Sequence, residues 1–188
     1  MTEALGALSR EELPDEDDLV AGPASFCAEI LIEDPAWDAQ SALDVADRVM
    51  HALVATRLAP AGDARCEIAF SSDAAVGALN GRFRGKDAPT NVLAFPSGEP
   101  VGTGAADASD AADEPLALGS VVLAYGVMHK EASERGIPLR DHTTHLTLHG
   151  LLHLLGYDHM VEAERVAMEA VEVEILAGLG LSDPYEGS

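Results

Sequence analysis

Two spacings of apolar residues alternate along the first two thirds of the chain. FCAEILIED (26–34) and CEIAF (66–70) place apolar side chains at alternate positions in runs rich in β-formers, the pattern of part-buried strands. VLAFP (92–96) and ALGSVVLAY (117–125) read the same way, and Pro35 and Pro96 close the first and third of these runs. Between the first two strands the period changes. From about 39 to 59 the apolar positions, among them Ala42, Val45, Val49 and Leu53, recur at three-four spacing, which predicts a helix with one buried face. A second helix is expected to start at a cap among Ser71, Ser72 and Asp73 and to run to about Arg84. Beyond residue 125 the helical period persists over 126–135, about 138–155 and about 160–178. Pro138 suits the first turn of the middle helix, Gly156 suits its end, and Gly178 and Gly180 punctuate the last one. Strands interleaved with helices and then helices alone predict an α+β fold. Its expected form is a small mixed four-stranded sheet with helices packed on it.

Composition sharpens this picture in three places. The 188 residues suit one domain, and 47% apolar content supplies a core, but aromatics are only 4%, so aliphatic side chains must fill it. Lys plus Arg number 11 against 33 Asp plus Glu, a net charge of −22 that repels polyanions in general and makes any contact with one local. Much of the acid lies in two stretches. Residues 1–24, containing EELPDEDD, are expected to be an acidic disordered tail. GEPVGTGAADASDAADEP (98–115) is expected to be a flexible acidic insertion in a domain spanning 25–188. The N-terminus shows no basic and apolar leader pattern, and no apolar run approaches the length of a membrane span, so a cytoplasmic protein without membrane contact is expected. Cys27 and Cys66 lie in strand-like runs and are expected to be buried free thiols in a reducing setting.

The candidate chemistry is concentrated in HGLLHLLGYDH (149–159). Of seven histidines, five lie within 142–159. His149 and His153 are four apart, so on a helix they project from one face a turn apart and can share an ion. Gly156 can then take the left-handed conformation that ends a helix, and the returning chain can bring His159 to the same ion. Three neutral nitrogens with an open fourth position describe a catalytic transition-metal site, zinc foremost, although nickel, copper or iron also suit imidazole. His145 shares the stripe, but a straight helix spans about 12 Å from 145 to 153, so it is expected beside the site rather than in it. His142, His129 and His51 are expected to be exposed or capping. The outer spacing matches that of metzincin proteases, but Gly150 stands where those enzymes carry the glutamate base, which points away from peptide hydrolysis.

A second cluster is basic. Arg82, Arg84 and Lys86 fall within GRFRGKDAPTNVLAFP, three of only eleven cations in an acidic chain. They could simply complement a helix C-terminus. With a phosphodiester substrate they gain a purpose, because arginine binds phosphate bidentately and stabilises charge developing on it. Asp87 and Asn91 are expected to hold the turn that follows.

HGLLHLLGYDH, with RFRGKDAPTNVLAFP before it and EVEILAGLGLSDPY after it, resembles the YbeY family of bacterial endoribonucleases and rRNA maturation factors, over roughly 26–186. The resemblance implies a metal-dependent, single-strand-specific endoribonuclease of 16S rRNA 3′-end maturation and ribosome quality control. It implies His149, His153 and His159 as metal ligands and Arg84 as the catalytic arginine. Arg82 and Lys86 are added as candidate substrate contacts, and one transition-metal ion per chain is expected. The implied partners are rRNA and the small ribosomal subunit or its proteins, with no DNA. One departure stands out: Leu118-Gly119-Ser120 occurs where the family usually has Leu-Gly-Asp, so a carboxylate that would line the cleft is missing. Two rival readings are a non-catalytic ribosome assembly factor with a structural metal and a metal-dependent hydrolase acting on another substrate. Turnover of RNA separates both from the first.

Overall fold

The computed structural model describes residues 19–21, 26–98 and 115–186. The bulk of the acidic tail (1–24) and of the insertion (98–115) lies outside the described residues. Strands β1 (Leu19–Ala21), β2 (Phe26–Ile32), β3 (Ala64–Ser71), β4 (Val92–Pro96) and β5 (Leu116–Ala124) form one mixed sheet in the order β1-β2-β3-β5-β4. The four strands expected from alternation are all present. Leu19–Ala21, assigned to the tail from sequence, instead pairs antiparallel with β2. Three residues beside a dense run of charge are too few to show an alternating pattern.

The two inner pairings, β2 with β3 and β3 with β5, are parallel, and β4 runs antiparallel to β5 on the opposite edge from β1. Parallel neighbours need a crossover. Helix α1 (Ala39–Ala55) supplies the first, and α2 (Asp73–Arg84) with β4 intervenes in the second. Helix α1 begins at Asp38, whose carboxylate accepts from the Ser41 amide, and α2 begins at Ser72, whose hydroxyl accepts from the Ala75 amide. Each cap satisfies an amide that the first turn would leave unpaired. Helices α3 (Tyr125–Arg135), α4 (Leu139–Leu154) and α5 (Glu162–Gly178) close the chain.

The sheet separates two apolar layers. The larger core joins Val49, Met50 and Leu53 of α1, Leu148, Leu151 and Leu152 of α4, and Met168 and Ile175 of α5 to Phe26, Ile68, Val121 and Leu123 of the sheet. On the other face Val76 of α2 packs with Ala69, Leu93, Val122 and Ala124. Helix α4 is therefore central, with ten buried residues distributed around its circumference. Close packing of α4 on β5 depends on Gly150, where a Cβ would lie only 2.5 Å from Val121 Cγ1.

Cys27 and Cys66 are free, as expected. Cys27 is only part-buried, whereas Cys66 is buried, and burial beside Cys27 and Glu67 pushes its thiol up to about 12, so it remains protonated. Among the described residues no helix is long and apolar enough to cross a membrane.

Candidate metal centre

Helix α4 places His149 and His153 on successive turns, and the chain reverses immediately after it. Gly156 adopts φ +93°, and the Tyr157 amide donates back to the Leu152 carbonyl at 3.0 Å. This reversal brings the Tyr157 carbonyl against His153 Nδ1 (2.9 Å) and returns His159 to the face it left. One ligating nitrogen from each of His149, His153 and His159 then lies within 4.8 Å of the others. The sequence-predicted triad is assembled by one helix, one glycine and one turn.

The hydrogen bonds around the triad determine where its lone pairs point. His149 Nδ1 donates to Glu172 Oε1 at 2.8 Å, and His153 Nδ1 donates to the Tyr157 carbonyl. With both protons on Nδ1, both Nε2 atoms carry lone pairs, yet they face each other at 3.2 Å. Two lone pairs so placed repel unless a shared proton or a metal cation lies between them. Nitrogens bound tetrahedrally at about 2.0–2.1 Å stand about 3.3 Å apart, so the observed spacing fits two ligands of one ion. Burial, reinforced by His149, lowers the His153 pKa and favours the neutral form that binds a metal. His159 is the exposed member; Asp158 Oδ1 accepts from its backbone amide at 2.6 Å and fixes the turn.

Glu172 was not anticipated from sequence. It is fully buried (0% exposed) on the inner face of α5, in step with Met168, Ile175 and Leu176. Burial raises its pKa, but the bonds from His149 and from the Tyr185 hydroxyl outweigh that and hold it below the usual carboxylate range. The legible signal was a carboxylate on an apolar stripe, where an acid is seldom tolerated without partners. Tyr185 also approaches His145 Nε2 at 3.5 Å. His145 accordingly lies beside the triad and outside it, and burial pushes it down to about 4.

His142 corrects an expectation. Instead of being exposed or capping, it is 3% exposed, with Nε2 bonded to Glu131 Oε2 at 2.8 Å. Asn91 Nδ2 donates to the same carboxylate at 3.1 Å, while Asn91 Oδ1 accepts from the Val92 amide at 2.8 Å. Asn91 thus holds the turn into β4, as expected, and also ties it to α3 and α4. His129 and His51 are exposed, His51 against Asp47.

The triad opens into a cleft of about 670 Å³. It is lined by Arg84, Thr90 and Asn91 with Val92, Ala94 and Pro96 of β4, and by the triad with Gly150 and the turn 156–160. Arg84, the last residue of α2, reaches this cleft. Arg82 and Lys86 do not line it, and the Arg82 guanidinium instead lies 5.2 Å from the centre of the Phe83 ring. Ser120 does not line it either. It pairs with Phe95 and shares a strand face with Val122, on the opposite side of the sheet from Val121 and Gly150, so serine in place of the family's aspartate leaves the cleft untouched.

Comparison with known proteins finds relatives over most of the chain. The family model described as Endoribonuclease YbeY matches residues 32–180. The endoribonuclease YbeY of Dinoroseobacter shibae is 45% identical over 169 residues, covering 87% of this chain and 93% of that protein. That of a Bradyrhizobium strain is 44% identical over 158 residues, covering 84% and 90%. The solution structure of TM1509 from Thermotoga maritima shares the fold, with a TM-score of 0.50 at 21% identity over 85% of this chain and 97% of that one.

Proposed function

The chain belongs to the endoribonuclease YbeY family, and from that premise we propose that it is a metal-dependent, single-strand-specific endoribonuclease of 16S rRNA 3′-end maturation and ribosome quality control. Its partners would be rRNA and the small ribosomal subunit or its proteins, in the cytoplasm. The observation that carries the metal-dependent part is the opposed pair of Nε2 lone pairs at 3.2 Å, with His159 alongside, in a cleft that Arg84 also lines. His149, His153 and His159 would hold one transition-metal ion, zinc by donor type and open geometry. When bound, such an ion polarises a phosphoryl oxygen or acidifies a water.

The chain's own residues supply the remainder. Glu172 keeps the His149 proton on Nδ1, and the Tyr157 carbonyl does the same for His153, so both rings present Nε2 to the cleft. Arg84, which lines the same cleft, would neutralise charge developing on a phosphodiester bound there. Arg82 and Lys86 would meet the RNA only beyond the reacting nucleotide, as phosphate contacts. Asp158 is occupied in fixing the turn. Gly150 leaves the protease glutamate without a counterpart, in keeping with a phosphodiester rather than a peptide substrate.

The test combines metal analysis of the purified protein with cleavage of a single-stranded RNA. The parent should carry about one ion per chain and cleave; His149→Ala should lose both ion and cleavage, and Arg84→Ala should keep the ion and lose most of the cleavage. Equal cleavage by the variants would overturn the reading, and a metal-replete parent without turnover would replace it with a non-catalytic assembly role.

A further inference from the structure

Strand β4 is the sheet's edge, and it is also a wall of the cleft. Its pairing with β5 is bounded by the Ala124 amide donating to the Asn91 carbonyl and the Ser97 amide donating to the Leu118 carbonyl. Hydrogen-bonded pairs alternate in an antiparallel ladder. Residues 91, 93, 95 and 97 therefore turn their main-chain groups towards β5, and Val92, Ala94 and Pro96 turn theirs outward. The same three residues line the cleft by the sheet face they share with Val121, and their outward main-chain groups run along the edge that borders it. The Val92 amide is taken by Asn91 Oδ1, and Pro96 has no N–H. Among the described residues, the Ala94 N–H and the Val92 and Ala94 carbonyls have no hydrogen-bond partner outside the ladder.

We infer that this free edge of β4, centred on the Ala94 N–H and C=O, binds the Watson–Crick edge of an unpaired base and so selects single-stranded RNA. The inference rests on the endoribonuclease reading and deepens it by naming what recognises the strand. In an extended strand the N–H and C=O of one residue point the same way, side by side. Each of the four bases carries a neighbouring donor and acceptor on its Watson–Crick edge, so any unpaired base could engage this pair. A base already paired in a duplex has that edge occupied. Recognition by main chain would be tolerant of sequence and intolerant of pairing. Strand addition by a peptide is disfavoured, because it needs a longer run of donors and acceptors than two residues ending at a proline provide. The cation on the same cleft, Arg84, suits a phosphate flanking the bound base.

The test uses the full chain loaded with zinc. Ala94→Pro deletes the outward N–H and fills its place, without breaking a ladder bond, at an edge position where proline is tolerated. It should keep the parent's zinc content and melting temperature to within a few degrees and lose about tenfold or more in kcat/KM on single-stranded RNA, chiefly through KM. Unchanged kcat/KM in a parent that cleaves would overturn the inference and leave the endoribonuclease reading intact; a parent that does not cleave would overturn that reading itself. Amide NMR of the unmutated protein provides a measure independent of whether the variant folds. A 2′-O-methyl single-stranded oligonucleotide should shift the Ala94 amide, and the same sequence in a duplex should not. Shifts near Arg84 with none at Ala94, equal shifts with the duplex, or a shift at Ala94 with an extended heptapeptide but not with the oligonucleotide would each refute it.

Discussion

Replacing Glu172 by Gln tests whether the carboxylate behind His149 is what makes the triad a metal site. The substitution keeps the shape and removes the charge. In the parent, Glu172 is buried and accepts from His149 Nδ1 at 2.8 Å and from the Tyr185 hydroxyl. Glutamine has a single acceptor oxygen for these two donors, so one bond is lost, or its amide group turns to His149 and reverses the ring tautomer. In the second case the proton moves to Nε2, the atom the metal needs. Loss of a partner hydrogen-bonded to a ligating histidine typically costs about 10–100-fold in metal affinity. At 1.36 kcal/mol per tenfold that is about 1.4–2.7 kcal/mol, which overlaps the ~1.5–3 kcal/mol expected of a hydrogen bond to a charged group. The two magnitudes agree because both describe one charge-assisted bond. Zinc affinity should be read by titration against a competing chelator, and stability by urea unfolding in excess chelator, where the variant should be weaker by about 1–3 kcal/mol. Tyr185→Phe removes a donor but keeps the charge, so its loss of zinc affinity should be smaller. If Glu172→Gln binds zinc within twofold of the parent and unfolds at the same urea concentration, the carboxylate does not organise the site and the reasoning fails.

Three further outcomes are expected. Arg84→Ala should lower kcat on single-stranded RNA by about 10²–10³ with the zinc content unchanged, and Arg84→Lys should restore only part of it, because a point charge lacks the bidentate fork; full activity of Arg84→Ala would remove arginine from the mechanism. His145 has its folded pKa lowered to about 4 from 6.5, so the unfolded chain binds the extra proton between those values. Stability conferred by keeping His145 neutral is therefore complete above about pH 6.5 and is lost as pH falls towards 4, to a limit of about 3 kcal/mol. Urea unfolding of chelator-treated protein across that range should show a slope that His145→Gln reduces, and identical slopes would refute the assignment. Gly150→Ala puts a methyl 2.5 Å from Val121 Cγ1 and should destabilise by about 1–3 kcal/mol, as overpacking does; Val121→Ala in the same chain should recover much of that loss, and simple additivity of the two would show that they do not touch.

Local features were legible in the chain. The expected strands and helices are present with boundaries moved by a few residues, because alternation, three-four spacing, Ser72 as cap and Gly156 as stop are properties of neighbouring residues. The triad was legible for the same reason, since a helical turn and a reversal place its members within eleven residues. Partners separated by long stretches of sequence were not. The Glu172–His149 bond spans 23 residues and exists only because α5 folds back on α4. His142 looked like a surface histidine because its partners, Glu131 and through it Asn91, come from α3 and the turn before β4. Composition alone did not separate Arg82, Arg84 and Lys86; the family resemblance singled out Arg84, and of the three it is the one that lines the cleft.

Gly150 links the architecture to the chemistry. The residue after the first ligand of a metzincin-like helix must be glutamate if the site is to activate water for peptide hydrolysis. Here that position packs against β5, and even a single Cβ there would lie 2.5 Å from Val121 Cγ1. A glutamate would require α4 to move off the sheet. That move would carry His149 and His153 away from β4 and Arg84, which line the same cleft. The packing that excludes a protease base at Gly150 therefore also keeps the ligand-bearing helix against the sheet that lines the cleft. With no carboxylate in that position, the cleft's lining carries the Arg84 cation and the Asp158 carboxylate, the latter held by the His159 amide, so Arg84 is the group that can meet an anionic substrate. A negative chain with a cleft lined by an arginine can bind RNA at that place while repelling it elsewhere, so the net charge of −22 restricts where the strand enters rather than arguing against a nucleic-acid substrate.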